Sequence, residues 1–150
     1  MPLRISDADA ARKSAPGKWS VLECLEHIVF VEGVYCGWLQ NAALLDAPSR
    51  DSSREEWITA HVTDRRWDWQ APEVAHPKGR YHTVVEALAE FNEVRDRIIA
   101  AAREGESKLF VLQAKHSRLG MLNGAELLRL AAAHTRRHAE QIRLERRLVG

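Results

Sequence analysis

Three segments of the chain carry the residue spacing of a helix capping box, in which Ser, Thr or Asn is followed three residues later by Glu. They begin at Ser20, Thr83 and Asn123. After each one, apolar residues recur at intervals of three and four, the period of an amphipathic α-helix. The pattern predicts a helix of about 20 residues after Ser20. It also predicts a helix that ends near Arg103 and a last helix that reaches almost to the C-terminus.

The rest of the chain carries weaker structural signals. Ser6 and Asp9 predict the start of a short first helix that stops before Pro16. The helix that begins after Ser20 is followed by a long connection, which extends from Ala47 to Arg80. Within this connection, the segment 53–56 predicts one or two helical turns, whereas the later prolines favour extended or turn geometry.

The fold prediction follows from the absence of strand signals. No segment alternates apolar and polar residues as a half-buried strand does. Long helices without strands must bury their apolar faces against one another. We therefore predict an all-α fold, a single four-helix-bundle domain over residues 1–150 in which the long connection forms the crossover.

Charge and cysteine content limit the environment and the partners of the chain. Its 22 Lys and Arg residues nearly balance 21 Asp and Glu residues, and a net charge of +1 selects neither nucleic acid nor a membrane surface. Cys24 and Cys36 lie on one predicted helix, about 18 Å apart along its axis, so they cannot form a disulfide. The chain has no apolar run long enough to span a membrane, and a cytoplasmic location is expected.

The histidines suggest a site for a divalent metal ion. His134 and His138 are four residues apart on the last predicted helix, which places their side chains on one face, about 5–6 Å apart at Cβ. That face also carries Leu127 and Leu130, so both imidazoles should point inward. His27 lies on the apolar side of its own predicted helix and should point inward as well. Three imidazoles can thus converge on one ion.

Each histidine also has a simpler interpretation. A single His on an apolar face is more often a hydrogen-bonded core residue than a ligand, and pairs four residues apart occur by chance on surface helices. Three imidazoles buried together without a metal, however, would need three separate hydrogen-bonding solutions. The remaining histidines fall in predicted connections and are expected at the surface: His61, His76, His82 and His116.

Two separate segments resemble a known family. Trp19-Ser20 followed by Glu23 and His27-Ile28 resembles the W-S-x-x-E-x-x-x-H-I segment of the DinB/YfiT-like superfamily. The segment from His134 to Ile142 resembles that superfamily's closing H-x-x-R-H-x-x-Q-I helix. The stretches 71–80 and 86–95 resemble its middle, so the likeness extends from about residue 15 to 145 in an order that chance does not easily produce.

The resemblance implies a four-helix bundle, usually a homodimer, with one divalent ion bound by His27, His134 and His138. Zinc or nickel is the expected ion, with iron, manganese or copper as the alternatives; of these, iron and copper also suit imidazole ligands. The superfamily includes metal-dependent transferases that act on low-molecular-weight thiols, so the resemblance implies a small-molecule substrate and a thiol cosubstrate. The three histidines that the resemblance implies as metal ligands are the same three that the helical faces select.

Other residues near the predicted site each have two interpretations. Gln141 either orients a ligand or packs as an ordinary helix amide. Arg137 either binds a carboxylate or lies in solvent, and we favour solvent. Cys24 is either a ligand or a small core residue, and we favour the core. Glu23 is explained by capping, which leaves no carboxylate as an evident general base.

Two larger sets of residues also allow a functional and a structural interpretation. Three tryptophans of the long connection either line the mouth of a substrate site or pack in the core or an interface: Trp57, Trp67 and Trp69. Five arginines near the C-terminus either bind nucleic acid or complement the negative end of the last helix, and we favour the helix: Arg136, Arg137, Arg143, Arg146 and Arg147.

Three functions remain open from the sequence. A three-histidine site leaves a coordination position for water or a thiolate, which favours a metal-dependent enzyme, either a thiol S-transferase or a hydrolase. The absence of a second catalytic group favours a non-catalytic metal or small-ligand binding module. The C-terminal arginines are the basis of a nucleic-acid alternative, which predicts salt-sensitive DNA binding.

Overall fold

A computed structural model describes residues 4–150, and its architecture is mainly helical. The α-helices of this part of the chain are α1 (Asp7–Ala11), α2 (Val21–Asn41), α3 (Ser52–Thr63), α4 (Val84–Glu104) and α5 (Gly124–Val149). Three short strands accompany them: β1 (Ala43–Leu44), β2 (Leu112–His116) and β3 (Gly120–Leu122). Single 3₁₀ turns occupy Glu73–Ala75 and Glu106–Lys108.

The three predicted capping boxes are all present. In each, the side chain of the cap residue accepts the backbone N–H of the Glu three positions later, and that Glu accepts the N–H of the cap residue. These reciprocal bonds satisfy two donors that a helix start otherwise leaves unpaired. The start positions predicted for α2, α4 and α5 are therefore confirmed.

The short first helix is also confirmed, and it ties the ends of two long helices together. The Ser6 hydroxyl accepts the N–H of Asp9 at 3.1 Å and caps α1. The side chain of Asp7 accepts the backbone N–H of Val84 at the start of α4. The Arg12 guanidinium donates to the carbonyl of Val149 near the end of α5. Helix α1 therefore holds the start of α4 and the end of α5 at one side of the molecule.

Helix α3 is longer than the sequence predicted. One or two turns were expected within the long connection, but α3 has 12 residues. Asp51 caps it by accepting the N–H groups of Ser53 and Arg54. Ile58 and Val62 are fully buried, so packing extends the helix beyond what its local signal indicates.

The predicted helical fold class is confirmed, but the described residues also form a small antiparallel sheet that the sequence did not predict. Strand β2 is its centre, pairing with β1 on one side and with β3 on the other. Ala114 lies opposite Leu122, and both are buried. Strands of two to five residues are too short for an alternating pattern to be recognised.

The helices bury their apolar faces against one another around α2 and α5. Helix α2 packs against α4 and α5, and α3 packs against α5. No helix in the described part of the chain combines the length and the apolar character needed to cross a membrane. The packing of α2 on α5 brings the two histidine-bearing helices into contact, which is the basis of the site.

A buried ion pair links α2, α4 and α5 near that site. Glu32 is completely buried and accepts from the guanidinium of Arg95, with Nε at 3.0 Å. The hydroxyl of Thr135 donates to the same carboxylate. Because Thr135 adjoins His134, this network fixes the part of α5 that carries one of the predicted ligands.

Candidate metal centre

The structure brings the three predicted histidines together. His27 extends from α2, while His134 and His138 extend from consecutive turns of α5. One ring nitrogen from each lies within 4.8 Å of the other two. The Nε2 atoms of His27 and His134 are 3.1 Å apart. The inward orientation deduced from the helical faces is therefore confirmed.

Two of the rings are oriented by hydrogen bonds on their outer side. Nδ1 of His27 donates to the carbonyl of Ala75 at 2.8 Å, and Nδ1 of His138 donates to Oε1 of Gln141 at 2.9 Å. A ring that donates from Nδ1 keeps an unprotonated Nε2 when it is neutral. Metal-bound histidines are commonly oriented by just such an acceptor behind the ring. Gln141 thus orients a ring, as one of its two interpretations anticipated.

The donor set fits a divalent metal ion. Nδ1 of His134 is buried without a hydrogen-bond partner among the described residues, so protein hydrogen bonds alone do not satisfy the cluster. The 3.1 Å between the Nε2 atoms of His27 and His134 is compatible with two metal–nitrogen bonds of about 2.0–2.1 Å to one ion. Three imidazoles are a typical donor set for zinc, nickel, copper or iron.

All three imidazoles are held in the neutral form that binds metals. Burial lowers the pKa of His27 and of His134, and the neighbouring His138 lowers that of His134 further. Burial, followed by repulsion from His27, lowers the pKa of His138 to about 4. At neutral pH each ring therefore keeps a lone pair available, since a protonated imidazole would be a buried charge.

Trp19 forms an aromatic wall beside the histidines. Its ring centre is 4.9 Å from that of His27, and it is stacked at 22° on His138 with centres 6.3 Å apart. The residue precedes the capping box of α2, so the start of that helix also determines where the indole lies. This contact restricts the orientation of two of the candidate ligands.

The histidines open onto a cavity of about 780 Å³. Its lining includes aromatic side chains from the segment before α2, from α2 itself and from the long connection: Trp19, Tyr35, Trp38 and Trp69. A cavity of this size can enclose a small organic molecule. The candidate ligands therefore face a space that a substrate could occupy.

The tryptophans of the long connection divide between the two interpretations. Trp69 lines the cavity, but Trp57 and Trp67 lie outside it. Both of these pack against the imidazole of His61, with ring centres at 4.4 Å and 4.6 Å. The lining of the cavity thus includes one of the three tryptophans, and the other two are about half exposed and form a surface aromatic cluster.

The surface location expected for four histidines is only partly correct. His76 and His82 are exposed, but His61 is half-buried on α3, and His116 is half-buried at the end of β2. His116 lines the cavity, as does the exposed His76. The sequence offered no signal for His116, because its position depends on the β2–β3 hairpin that the pattern did not reveal. Tyr35 was missed for a different reason, since an aromatic residue on a buried helix face looks like core.

The guanidinium of Arg137 makes structural hydrogen bonds instead of projecting into solvent. Its guanidinium donates to the backbone carbonyls of Asp64 at 2.8 Å and Trp67 at 2.6 Å, which end α3 and begin the following loop. These bonds hold the loop against α5 beside the cavity. The solvent-exposed interpretation favoured from the sequence was therefore wrong.

Cys24 and Glu23 have the structural roles that were predicted. Cys24 is fully buried, and burial raises the pKa of its thiol to about 12, so without a metal ion the group is a neutral thiol at neutral pH. It does not belong to the cluster of convergent donor atoms. Glu23 accepts the N–H of Ser20 at 2.8 Å as the capping partner. Neither residue contributes an acid or a base to the site.

Comparison with protein families agrees with this geometry. A family model described as the DinB superfamily matches residues 3–142, which is nearly the whole chain and includes all three histidines. The chain belongs to the DinB superfamily. Comparisons with curated proteins and with solved structures gave no match. The resemblance drawn from short segments is thus confirmed over residues 3–142, and a three-histidine cluster that can hold a metal ion accompanies it.

Proposed function

We propose that this chain binds one divalent metal ion through His27, His134 and His138 and acts as a metal-dependent enzyme of the thiol S-transferase type. The observation that carries the proposal is the convergence of three neutral imidazoles from α2 and α5 on the wall of a cavity large enough for a substrate. Zinc or nickel is the ion that we expect first.

Three protein ligands distinguish a reactive metal site from a closed structural one, because a coordination position remains for a substrate or water. A bound ion would supply a Lewis acid that keeps a thiol deprotonated or lowers the pKa of water toward about 7. The chain's own residues supply orientation. Ala75 and Gln141 hold two of the rings, and Trp19 packs beside them.

We place thiol transfer first because the superfamily that this chain resembles includes thiol-dependent transferases, and hydrolysis is the alternative. No carboxylate is among the described residues that line the cavity, so a base for water there would have to be an imidazole such as that of His76 or His116. In thiol transfer, the sulfur–hydrogen bond of the thiol is broken and its proton passes to solvent. The thiolate then forms a bond to an electrophilic carbon, and the leaving group departs with its electron pair. Such a reaction needs a bound, ionised thiol and a binding site for the electrophile from which water is excluded.

Metal content is the first test of the proposal. Protein purified without an affinity tag is analysed for metals, with His134→Ala as the test variant and His82→Ala as the matched control. His82 is exposed and outside the cavity. We expect about one equivalent of a transition metal in the wild type and in the control, and little in His134→Ala. A metal-free wild type that also fails to bind added zinc and nickel would refute metal binding.

Turnover separates the enzyme from its alternatives. Metal-loaded protein is assayed with a chromogenic electrophile and a panel of cellular thiols, before and after chelation. We expect thioether formation that chelation abolishes and metal addition restores. Metal-dependent ester or amide hydrolysis without thioether formation would instead identify the hydrolase. Metal binding without turnover on either panel would favour the non-catalytic binding module.

We further propose that α2, α3, α4 and α5 constitute the four-helix bundle of this superfamily and that the chain forms a homodimer. Packing of α2 on α4 and α5, and of α3 on α5, supports the bundle. Val85 and Leu148, at the side of the molecule that α1 holds together, are 78% and 70% exposed and provide apolar surface for a second copy. Light scattering should give twice the mass of one chain, and a monomer at micromolar concentration would contradict the dimer.

A further inference from the structure

The lining of the cavity is strongly cationic although the chain as a whole is almost neutral. The net charge is +1, with 22 basic and 21 acidic residues. The described residues that line the cavity nevertheless include no Asp or Glu and five basic side chains: Lys18, Arg65, Lys115, Arg118 and Arg137. A cleft lined by one sign of charge concentrates ligands of the opposite sign. The cavity is therefore suited to an anion.

The β2–β3 hairpin contributes donors that the protein itself does not use fully. Nη2 of Arg118 donates to the carbonyl of Gln70 at 2.9 Å, and the guanidinium lies 5.5 Å from the centre of the Trp69 ring. These contacts fix the position of the group. A guanidinium has five N–H donors, so several remain for a ligand. Arg137 differs, because its donors are committed to backbone carbonyls.

His116 presents a hydrogen-bond donor to the same space. Its Nδ1 accepts the backbone N–H groups of Arg118 at 3.1 Å and Leu119 at 3.2 Å. A neutral imidazole that accepts at Nδ1 must carry its proton on Nε2. The hairpin turn thus sets the tautomer. The ring lines the cavity beside Tyr35 and Trp38, whose ring centres are 6.5 Å and 6.3 Å away.

We propose that the substrate of the three-histidine site carries an anionic group, a carboxylate or a phosphate, and that His116 and Arg118 bind this group. The apolar part of the same molecule packs against Trp38 and Trp69. This inference rests on the proposed function for the location of the reaction, but the anion-binding subsite is a separate part of the cavity. The hairpin therefore determines substrate specificity, and the histidines provide the reactive centre.

The test compares three probes of similar size by isothermal titration at low salt: phenylacetate, phenyl phosphate and neutral phenylacetamide. Titrations use metal-loaded protein and protein treated with chelator, since a bound ion also attracts anions. Three variants are compared with the wild type. His116→Asn retains an acceptor near the Nδ1 position for the turn but removes the Nε2 donor. Arg118→Gln removes the charge, and Arg66→Gln removes an equal charge from an exposed site outside the cavity.

We expect at least one of the two anions to bind about tenfold more tightly than phenylacetamide, both with and without metal. The preferred anion distinguishes a carboxylate substrate from a phosphate substrate. The preference should fall to about threefold or less in His116→Asn and Arg118→Gln and stay unchanged in Arg66→Gln. Affinity for phenylacetamide should be the same in all four proteins, which a folding defect would not allow.

Several results would overturn the inference: equal affinity for anions and amide, no binding of either anion at millimolar concentration, or a preference that survives both hairpin variants. An equal loss in Arg66→Gln would attribute the preference to overall charge and would also overturn it. Metal content is measured on the same samples. A protein with normal metal content but no anion preference refutes only this inference, whereas a metal-free protein that keeps the preference refutes only the proposed function.

Discussion

Acid should destabilise the metal-free protein through the imidazoles of the site, and His138 allows the size of the effect to be calculated. Its pKa is about 4 in the folded chain and about 6.5 when unfolded. When folding lowers the pKa of an imidazole, the shift does not reduce the stability of the folded protein at a pH above the unfolded-state pKa. Stability is lost as the pH falls from the unfolded-state pKa toward the folded-state pKa. The loss from His138 therefore occurs between about pH 6.5 and pH 4.

The expected magnitude follows from the separation of the two pKa values. At about pH 5.5 the unfolded ring is roughly 90% protonated while the folded ring is almost neutral, which corresponds to about 1.4 kcal/mol. Below both values the full loss approaches about 3.4 kcal/mol. Because burial also lowers the pKa of His27 and His134, the wild type should lose more than this single contribution.

Urea unfolding of chelator-treated protein at about pH 7.5 and 5.5 measures the effect. His138→Gln removes one ring, so its loss of stability between these pH values should be smaller than that of the wild type by about 1.3 kcal/mol. His82→Gln removes an exposed imidazole outside the cavity and should behave as the wild type. Equal losses in the wild type and His138→Gln would refute the reasoning, because the ring would then not be buried as a neutral group.

Three further substitutions have calculable outcomes. Glu32→Ala removes the buried carboxylate that accepts from Arg95 and Thr135, and because the Arg95 side chain is 31% exposed to water, it should lower the free energy of unfolding by about 1–3 kcal/mol in urea titrations. A loss below about 0.5 kcal/mol would contradict a stabilising role for this carboxylate. Gln141→Ala removes the acceptor behind His138 and should weaken zinc affinity about 10–100-fold in a competition titration, with little change in unfolding of the metal-free protein. Gly124→Ala would place a Cβ 2.9 Å from a backbone oxygen, so it should cost about 1–3 kcal/mol by thermal unfolding, and a neutral effect would show that this close approach relaxes freely.

The features that the sequence predicted well are those set by neighbouring residues. A capping box involves four consecutive positions, so the starts of α2, α4 and α5 could be read directly. The shared face of His134 and His138 follows from helix geometry alone. The convergence of His27 with them required one further step, that inward-facing imidazoles on two packed helices meet in a common interior.

The features that the sequence missed depend on contacts between distant segments. Helix α3 gains its third turn by burying Ile58 and Val62 against α5, which no local pattern reveals. The sheet consists of strands of two to five residues. Because the β2–β3 hairpin was not recognised, His116 was assigned to the surface although it lines the cavity. Arg137 was misjudged because the carbonyls that accept its hydrogen bonds, those of Asp64 and Trp67, are 73 and 70 positions away in the chain.

The most direct test of a three-histidine metal site is anomalous diffraction from crystals of the zinc- or nickel-loaded protein, with data on both sides of the absorption edge of the ion. We expect one peak per chain, at about 2.0–2.1 Å from one ring nitrogen of each of His27, His134 and His138. No peak at these residues, or a peak coordinated by other side chains, would contradict it.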